Sequence, residues 1–269
     1  MTQDSAVSHA STNTSRRRFA ASMLAVGVFG PSVLADEAAS KATEHPLVPA
    51  LRHANTCLEN VKKLSGYECT FIKKEVVGRQ TISQTIKMKV RHEPFSVYMN
   101  FVEPHAGREV IFFEGRNNNN LLVHEAGFAS LIGTLELAPD GSQAMSENRY
   151  PITLAGIQKL MEAVIRQWEE ETKYGETDVK YFEDAKTGNM TCRVIESTHP
   201  QPRKQFLFHM TRVWIDDKSG LPVRVQQFGF PAKSGSKPPV IEDYTFSNIK
   251  AEVRLTDRDF DTKNPSYKY

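Results

Sequence analysis

The chain lacks most of the features that announce an activity. No G-x-S-x-G elbow and no Walker loop occurs in its 269 residues, so the local signatures of α/β-hydrolases and P-loop nucleotide enzymes are missing. His92-Glu93 and His124-Glu125 begin like a zincin helix, yet neither continues to a second histidine. Both also sit in strand-like sequence, where i,i+4 ligation fails. Histidines 45, 53, 92, 105, 124, 199 and 209 are scattered, and the reading assigns no catalytic residue, no metal and no cofactor. An excess of one charge is missing too. The formal net charge of +2 is carried entirely by the first 35 residues, beyond which basic and acidic side chains are equal in number. A neutral body argues against a nucleic-acid partner; the local basic bias from Arg203 to Lys237 reads as a solvated face and its loops. Cysteine is scarce: Cys57, Cys69 and Cys192 all fall on apolar faces. They read as buried thiols, with one disulfide, Cys69–Cys192, left open for an exported protein.

No long hydrophobic run is present either, and the nearest approach to one is informative. In "SRRRFAASMLAVGVFGPSVLA", Ser15 to Ala35, a Ser, a pair of arginines (Arg16, Arg17) and Phe19 match the twin-arginine export signal S/T-R-R-x-F-L-K; Ala20 and Ala21 stand at its Leu and Lys positions. The apolar stretch Met23 to Leu34 is interrupted by Gly27, Gly30 and Pro31, and is too short to span ~30 Å of hydrocarbon comfortably. It ends with small residues at the −3 and −1 positions before a cut after Ala35. The expectation is a cleaved address at 1–35 read by the twin-arginine translocase, with an uncleaved anchor as the alternative. No cysteine lies just after Ala35 to carry a lipid; the first is Cys57. The mature protein is therefore expected to be periplasmic or otherwise exported and soluble, with no stable membrane anchor, a flexible leader at 36–46 and a single domain at 47–269.

Apolar residues Leu47, Leu51, Ala54, Leu58 and Val61, with Cys57, recur at helical spacing after Pro46, and Gly66 is expected to end that helix. From Tyr67 the period becomes two. Strand-like runs continue at 82–90, 95–102, 109–114 and 121–124, divided by Gly78, two Glu-Pro pairs and the "NNNN" turn at 117–120. A polar loop, 138–151, leads to a second helix with Thr153 as N-cap, an Ile152–Ile157 staple, and an apolar stripe through Leu160, Met161, Val164, Ile165 and Trp168; Glu169 to Glu171 are expected to close it in water. Further strands are expected at 178–183, 190–196, 206–216, 221–230 and 240–249, and a short strand and tail at the end. Helix, strands, helix, strands is an α+β order with one large antiparallel sheet, and the two helices are the obvious covers for its apolar face.

The segments "YECTFIKKE" (67–75), "GREVIFFEGRNNNNLLVHEAG" (107–127), "NRYPITLAGI" (148–157), "WIDDKSGLPVRVQQFGFP" (214–231) and "NPSYKY" (264–269) resemble domain-of-unknown-function family 1571. That family looks related to the LolA/LolB-like carriers. The resemblance implies a half-barrel with helices as a lid and an apolar cavity between them. An apolar ligand or a lipidated partner would sit there, against Tyr67, Phe71, Phe101, Phe112, Leu160, Met161, Val164 and Trp168. The helix at 154–168 is expected to roof the cavity, with 138–151 as its hinge. Arg108 is either a sheet-edge arginine or an anchor for an anionic head group. Two alternatives remain at this point, an envelope-associated hydrolase and a scaffold whose half-barrel is filled by its own side chains.

Overall fold

The computed structural model describes residues 44–233 and 235–269. The export-signal positions Arg16, Arg17, Phe19 and Ala35 lie outside the described residues. Helix α1 is Leu47–Lys62, and its stripe Leu47, Ala50, Ala54, Cys57, Leu58 and Val61 is buried. Gly66 does not cap it. Gly66 opens strand β1 (Gly66–Val77), where a Cβ would lie 2.6 Å from the Val90 carbonyl oxygen, so only glycine permits that close approach.

From β1 the chain meanders outward through β2 (Gln80–Arg91), β3 (Ser96–Glu103), β4 (Glu109–Phe113), β5 (Leu121–His124) and β6 (Thr134–Leu137). After the short helix α2 (Ser142–Met145) and helix α3 (Ile157–Glu171), it resumes with β7 (Asp178–Thr187), β8 (Met190–Thr198), β9 (Met210–Asp216), β10 (Pro222–Phe228) and β11 (Val240–Lys250). Among the described residues the eleven strands form one sheet in the order β6-β5-β4-β3-β2-β1-β11-β10-β9-β8-β7, every pairing antiparallel. The sheet is an open half-barrel, with β6 and β7 as its free edges. The expected α+β architecture is therefore the one observed, and β11 closes the two meanders against the central strand β1.

Two clusters fill the inner side. One lies over β1 to β5 and β11, where Tyr67, Ile86, Met88, Val90, Val97, Phe112 and Phe246 pack together. The other joins α1 and α3 to the second meander through Met161, Val164, Trp168, Ile195, Val213 and Val225. On the outer side the C-terminal segment lays Phe260, Tyr267 and Tyr269 over Tyr98, Ile111 and Phe113. Covered on both sides, β4 is buried at all five positions, which explains its unalternating "EVIFF".

Several local expectations are corrected. Helix α3 starts at Ile157, not after Thr153, because Gly156 at φ +98° breaks the helical path and Ile152–Leu154 forms a separate 3-10 turn. Glu171 does not face water: it is buried, with its carboxylate 3.2 Å from the His199 ring, which stacks on Phe206. The C-terminus has no strand. Thr256 and Asp259 form a capping box that starts a 3-10 turn at Asp257–Phe260, and Arg91 and Lys89 hold Asp257 and Asp259 in place. Cys57, Cys69 and Cys192 are free and buried. A Cys69–Cys192 bond is not formed because β1 and β8 stand four positions apart in the sheet, whereas a disulfide needs Cα atoms within about 7 Å. The four asparagines are a turn, with Asn117, Asn118 and Asn119 at φ +50° to +59° and the Asn119 side chain accepting from the Gly115 N–H at 2.7 Å.

Candidate functional site

Strand parity builds a cavity of about 320 Å³ on the inner face of the first meander and β11. Phe71, Ile86, Met99, Phe101, Val110, Leu121, Val123 and Phe246 make an apolar floor. In phase with them along the same strands stand Lys73, Glu75 and Gln84, which give the cavity a polar end. The roof is the segment from Pro139 through Ala155, completed by Leu160 at the start of α3.

Charged side chains fasten that roof to the sheet. Lys73 Nζ lies 3.0 Å from Glu75 and donates to the Glu147 carbonyl at 3.1 Å and to the Asn148 side chain. The Arg149 backbone N–H donates to Glu75 at 3.1 Å, and its guanidinium donates to Glu242 at 2.8 Å. The Tyr150 hydroxyl donates to Glu242 at 2.7 Å, and Tyr244 donates to Glu75. Burial pushes Glu242 above the ordinary carboxylate value, although Tyr150 and Arg149 pull it down. Burial likewise holds Lys73 below the ordinary amine value against the opposing pull of Glu75 and Glu147. These directions mark charges that are paired at a net desolvation cost. Arg108 is also committed, donating to Glu125 at 2.8 Å and to Glu147 at 3.0 Å. Among the described residues, no three His, Cys, Asp or Glu side chains gather to hold a metal.

The structure brings Phe71, Phe101, Arg108 and Leu160 of the expected residues together around the cavity. The others stand elsewhere. Met161, Val164 and Trp168 are core between α1, α3 and the second meander, where Trp168 Nε1 donates to Ser197 at 3.1 Å. The expectation that the whole helix roofs the cavity is thus corrected: α3 lies over a packed core, and the segment taken as its hinge is itself the roof. Tyr67 caps α3, its hydroxyl accepting from the Ile157 N–H at 2.7 Å, and a Cβ on Gly156 would meet that oxygen at 2.8 Å. Phe112 borders a second, more polar depression of about 570 Å³ together with His92 and Lys159. Sequence reading missed Lys73, Glu75, Gln84, Glu242 and Tyr244. Their signal was parity: 71, 73 and 75, then 84 and 86, then 242, 244 and 246 share the side of the sheet that carries the apolar residues.

Residues 64–269 match the family described as "Protein of unknown function (DUF1571)". No curated protein matches the chain. Among solved structures it is similar to the Mycobacterium tuberculosis lipoprotein LppX, at 15% identity and a TM-score of 0.44 over 78% of this chain and 100% of that one. It is similar to the Nitrosomonas europaea LolA superfamily protein NE2245, at 12% identity and a TM-score of 0.30 over 78% and 97%. A third likeness is to the Pseudomonas aeruginosa MucA/MucB complex, at 12% identity and a TM-score of 0.45 over 80% and 61%. Among the described residues no helix is long and apolar enough to cross a membrane.

Proposed function

The chain belongs to the family of unknown function DUF1571, and we propose that this member binds and carries a lipid or other apolar ligand in the cavity beneath residues 139–160. The cavity itself carries the proposal. At about 320 Å³ it falls within the range of ligand pockets, about 300–1,000 Å³, and it combines an apolar floor with a few polar groups at one end. The apolar floor faces this space rather than packed side chains, and an acyl chain laid on it would remove that floor from water. A scaffold filled by its own side chains would leave no such space, which disfavours that alternative. The hydrolase alternative has no support at the cavity, where Glu75, Glu125 and Glu147 are each committed to a cation.

The reading sets the protein outside the cytoplasm, delivered by the twin-arginine translocase and free of an anchor once cut after Ala35. Its support is the run Ser15 to Phe19 followed by a short apolar stretch. Two measurements test the carrier role. Mass spectrometry of organic extracts from the natively purified mature protein should find a stoichiometric amphiphile. After delipidation, the neutral probe 1-N-phenylnaphthylamine should bind saturably and be displaced by that extract. A clean extract together with linear, unsaturable probe fluorescence would end the proposal.

A further inference from the structure

We infer that one end of the half-barrel is a docking surface for an anionic lipid bilayer, entered by an apolar loop and held by lysines; this goes beyond the carrier reading and does not depend on what the cavity holds. The strand pairings put five turns at the same end: 78–79, 104–108, 125–133, 199–209 and 229–239. Within the second-meander-facing and first-meander turns alike, bulky apolar side chains stand in water. The 3-10 turn Gly127–Ile132 exposes Phe128 at 95%, Leu131 at 86% and Ile132 at 68%. Gly127 at φ +66° and Gly133 at φ +81° bracket it, and the Ser130 hydroxyl donates to the Gly127 carbonyl at 2.7 Å, so the loop is a tight turn. Residues 126–135 carry no charge. Leu207 stands 76% exposed in the turn 199–209. Clustered apolar exposure of this kind marks a surface that is covered in use.

Charge sorts to the same end. Arg79, Lys204, Lys233 and Lys237 are exposed and enter no ion pair among the described residues, whereas Arg203 is held by Glu176. Glu125 is the one carboxylate in those five turns, and Arg108 already holds it at 2.8 Å. Glu103 and Asp178, at adjoining strand ends, still leave basic side chains in excess. The turns at the opposite end, 92–95, 114–120, 188–189 and 217–221, leave no large apolar side chain exposed among the described residues. They mix Glu93, Glu114 and Asp217 with Arg116 and Lys218.

Separate tips of this kind suit a bilayer better than a protein partner. A stable protein interface gathers about 20–30 residues a side into one patch. Here the apolar turn joins β5 to β6, and the lysine-bearing turns join β8 to β9 and β10 to β11, several strands away in the sheet. A lipid surface takes up such tips independently: apolar side chains sink to the acyl boundary, and each lysine near anionic head groups adds about fivefold in affinity. Glu125, which lines the cavity, leads directly into the apolar turn, so docking brings the edge of the cavity to the lipid.

The test is co-sedimentation of the mature protein with sucrose-loaded vesicles, of phosphatidylcholine alone or mixed with phosphatidylglycerol, at low and high salt. The protein is expected to bind the phosphatidylglycerol vesicles, and less so at high salt. Phe128→Ser with Leu131→Ser should weaken that binding at least about tenfold. Lys204→Glu, Lys233→Glu and Lys237→Glu together should weaken it at least about tenfold as well, and flatten its salt dependence. All five side chains are exposed, so the melting temperatures of both variants should match the wild type. Lys218→Glu, at the opposite end, should leave binding unchanged. Absence of binding to phosphatidylglycerol vesicles would overturn the inference. So would wild-type binding by either multiple variant, or a loss from Lys218→Glu as large as that from Lys233→Glu alone. A concentration-dependent dimer in sedimentation equilibrium, abolished by Phe128→Ser with Leu131→Ser, would assign the loop to a second copy of the chain and overturn it too. These outcomes leave the carrier reading to its own test, because probe binding in the cavity is measured without vesicles.

Discussion

Leu160 and Met161 are adjacent in α3 but border different things, and alanine at each should separate core from cavity. Met161 is fully buried in the α1–α3 cluster. Truncating such a side chain where neighbours cannot collapse costs about 2–5 kcal/mol. A domain of this size loses about 2–4 °C of melting temperature per kcal/mol, so Met161→Ala should melt roughly 4–20 °C lower. Leu160 is half-buried and faces the cavity on one side. Its truncation enlarges an existing space and forfeits contacts on one flank, so about 1–2 kcal/mol should be lost. The ligand then reverses the ranking. A saturating ligand at a hundred times its Kd stabilises by about 2.7 kcal/mol. Met161→Ala should keep that full gain, whereas Leu160→Ala, having lost part of the roof, should keep visibly less. Circular-dichroism melts of the three proteins with and without 1-N-phenylnaphthylamine give all six values. Equal apo destabilisation and equal ligand gains in the two variants would refute the division into core and cavity.

Tyr67→Phe leaves the Ile157 N–H buried without its acceptor and should destabilise by about 1–3 kcal/mol, read from urea midpoints. For His199, burial opposes the charge, but the Glu171 carboxylate and the Glu176 carbonyl more than offset it, so its pKa is raised in the fold. The folded state therefore binds the extra proton. The stability it contributes is complete below the unfolded value of about 6.5 and is lost as pH rises through the higher folded value. His199→Gln should flatten that part of the stability–pH curve, and an unchanged slope would contradict the pairing. Glu242 follows the same sign, because its pKa is also raised, chiefly by burial. Its contribution is complete below about 4.3 and falls away as pH rises through the folded value, so the wild type minus Glu242→Gln difference should slope downward over that window. Replacing Arg16, Arg17 and Arg18 together by lysine keeps the charge but removes the guanidinium fork, and cell fractionation should find uncut precursor in the cytoplasm. Normal amounts of cut protein outside it would count against the twin-arginine route.

The parts of this fold legible in the sequence are those whose causes are local. Alternation from Tyr67 onward is visible because each strand has one face in the core, and the stripe from Ile157 to Trp168 is visible because a helix buries every third or fourth residue. What the local pattern cannot carry is the destination of each face. The α3 stripe reads the same whether it roofs a cavity or seals a core; α1, packed alongside it, decides the matter, and nearly a hundred residues separate the two. Strand β6 escaped because "TLEL" is short and only half-buried at a free edge. The polar end of the cavity escaped for a subtler reason. Lys73, Glu75 and Gln84 have inward parity, but an inward charge is ordinarily read as an error of phase. Their partners in the roof, Glu147, Asn148 and Arg149, lie 63 to 75 positions along the chain. No window of sequence contains both halves of those bonds. Charges in phase with an apolar strand face, followed by a charged loop of similar richness, are therefore better read as two halves of one buried network. In this chain, that network closes the space where a ligand would lie.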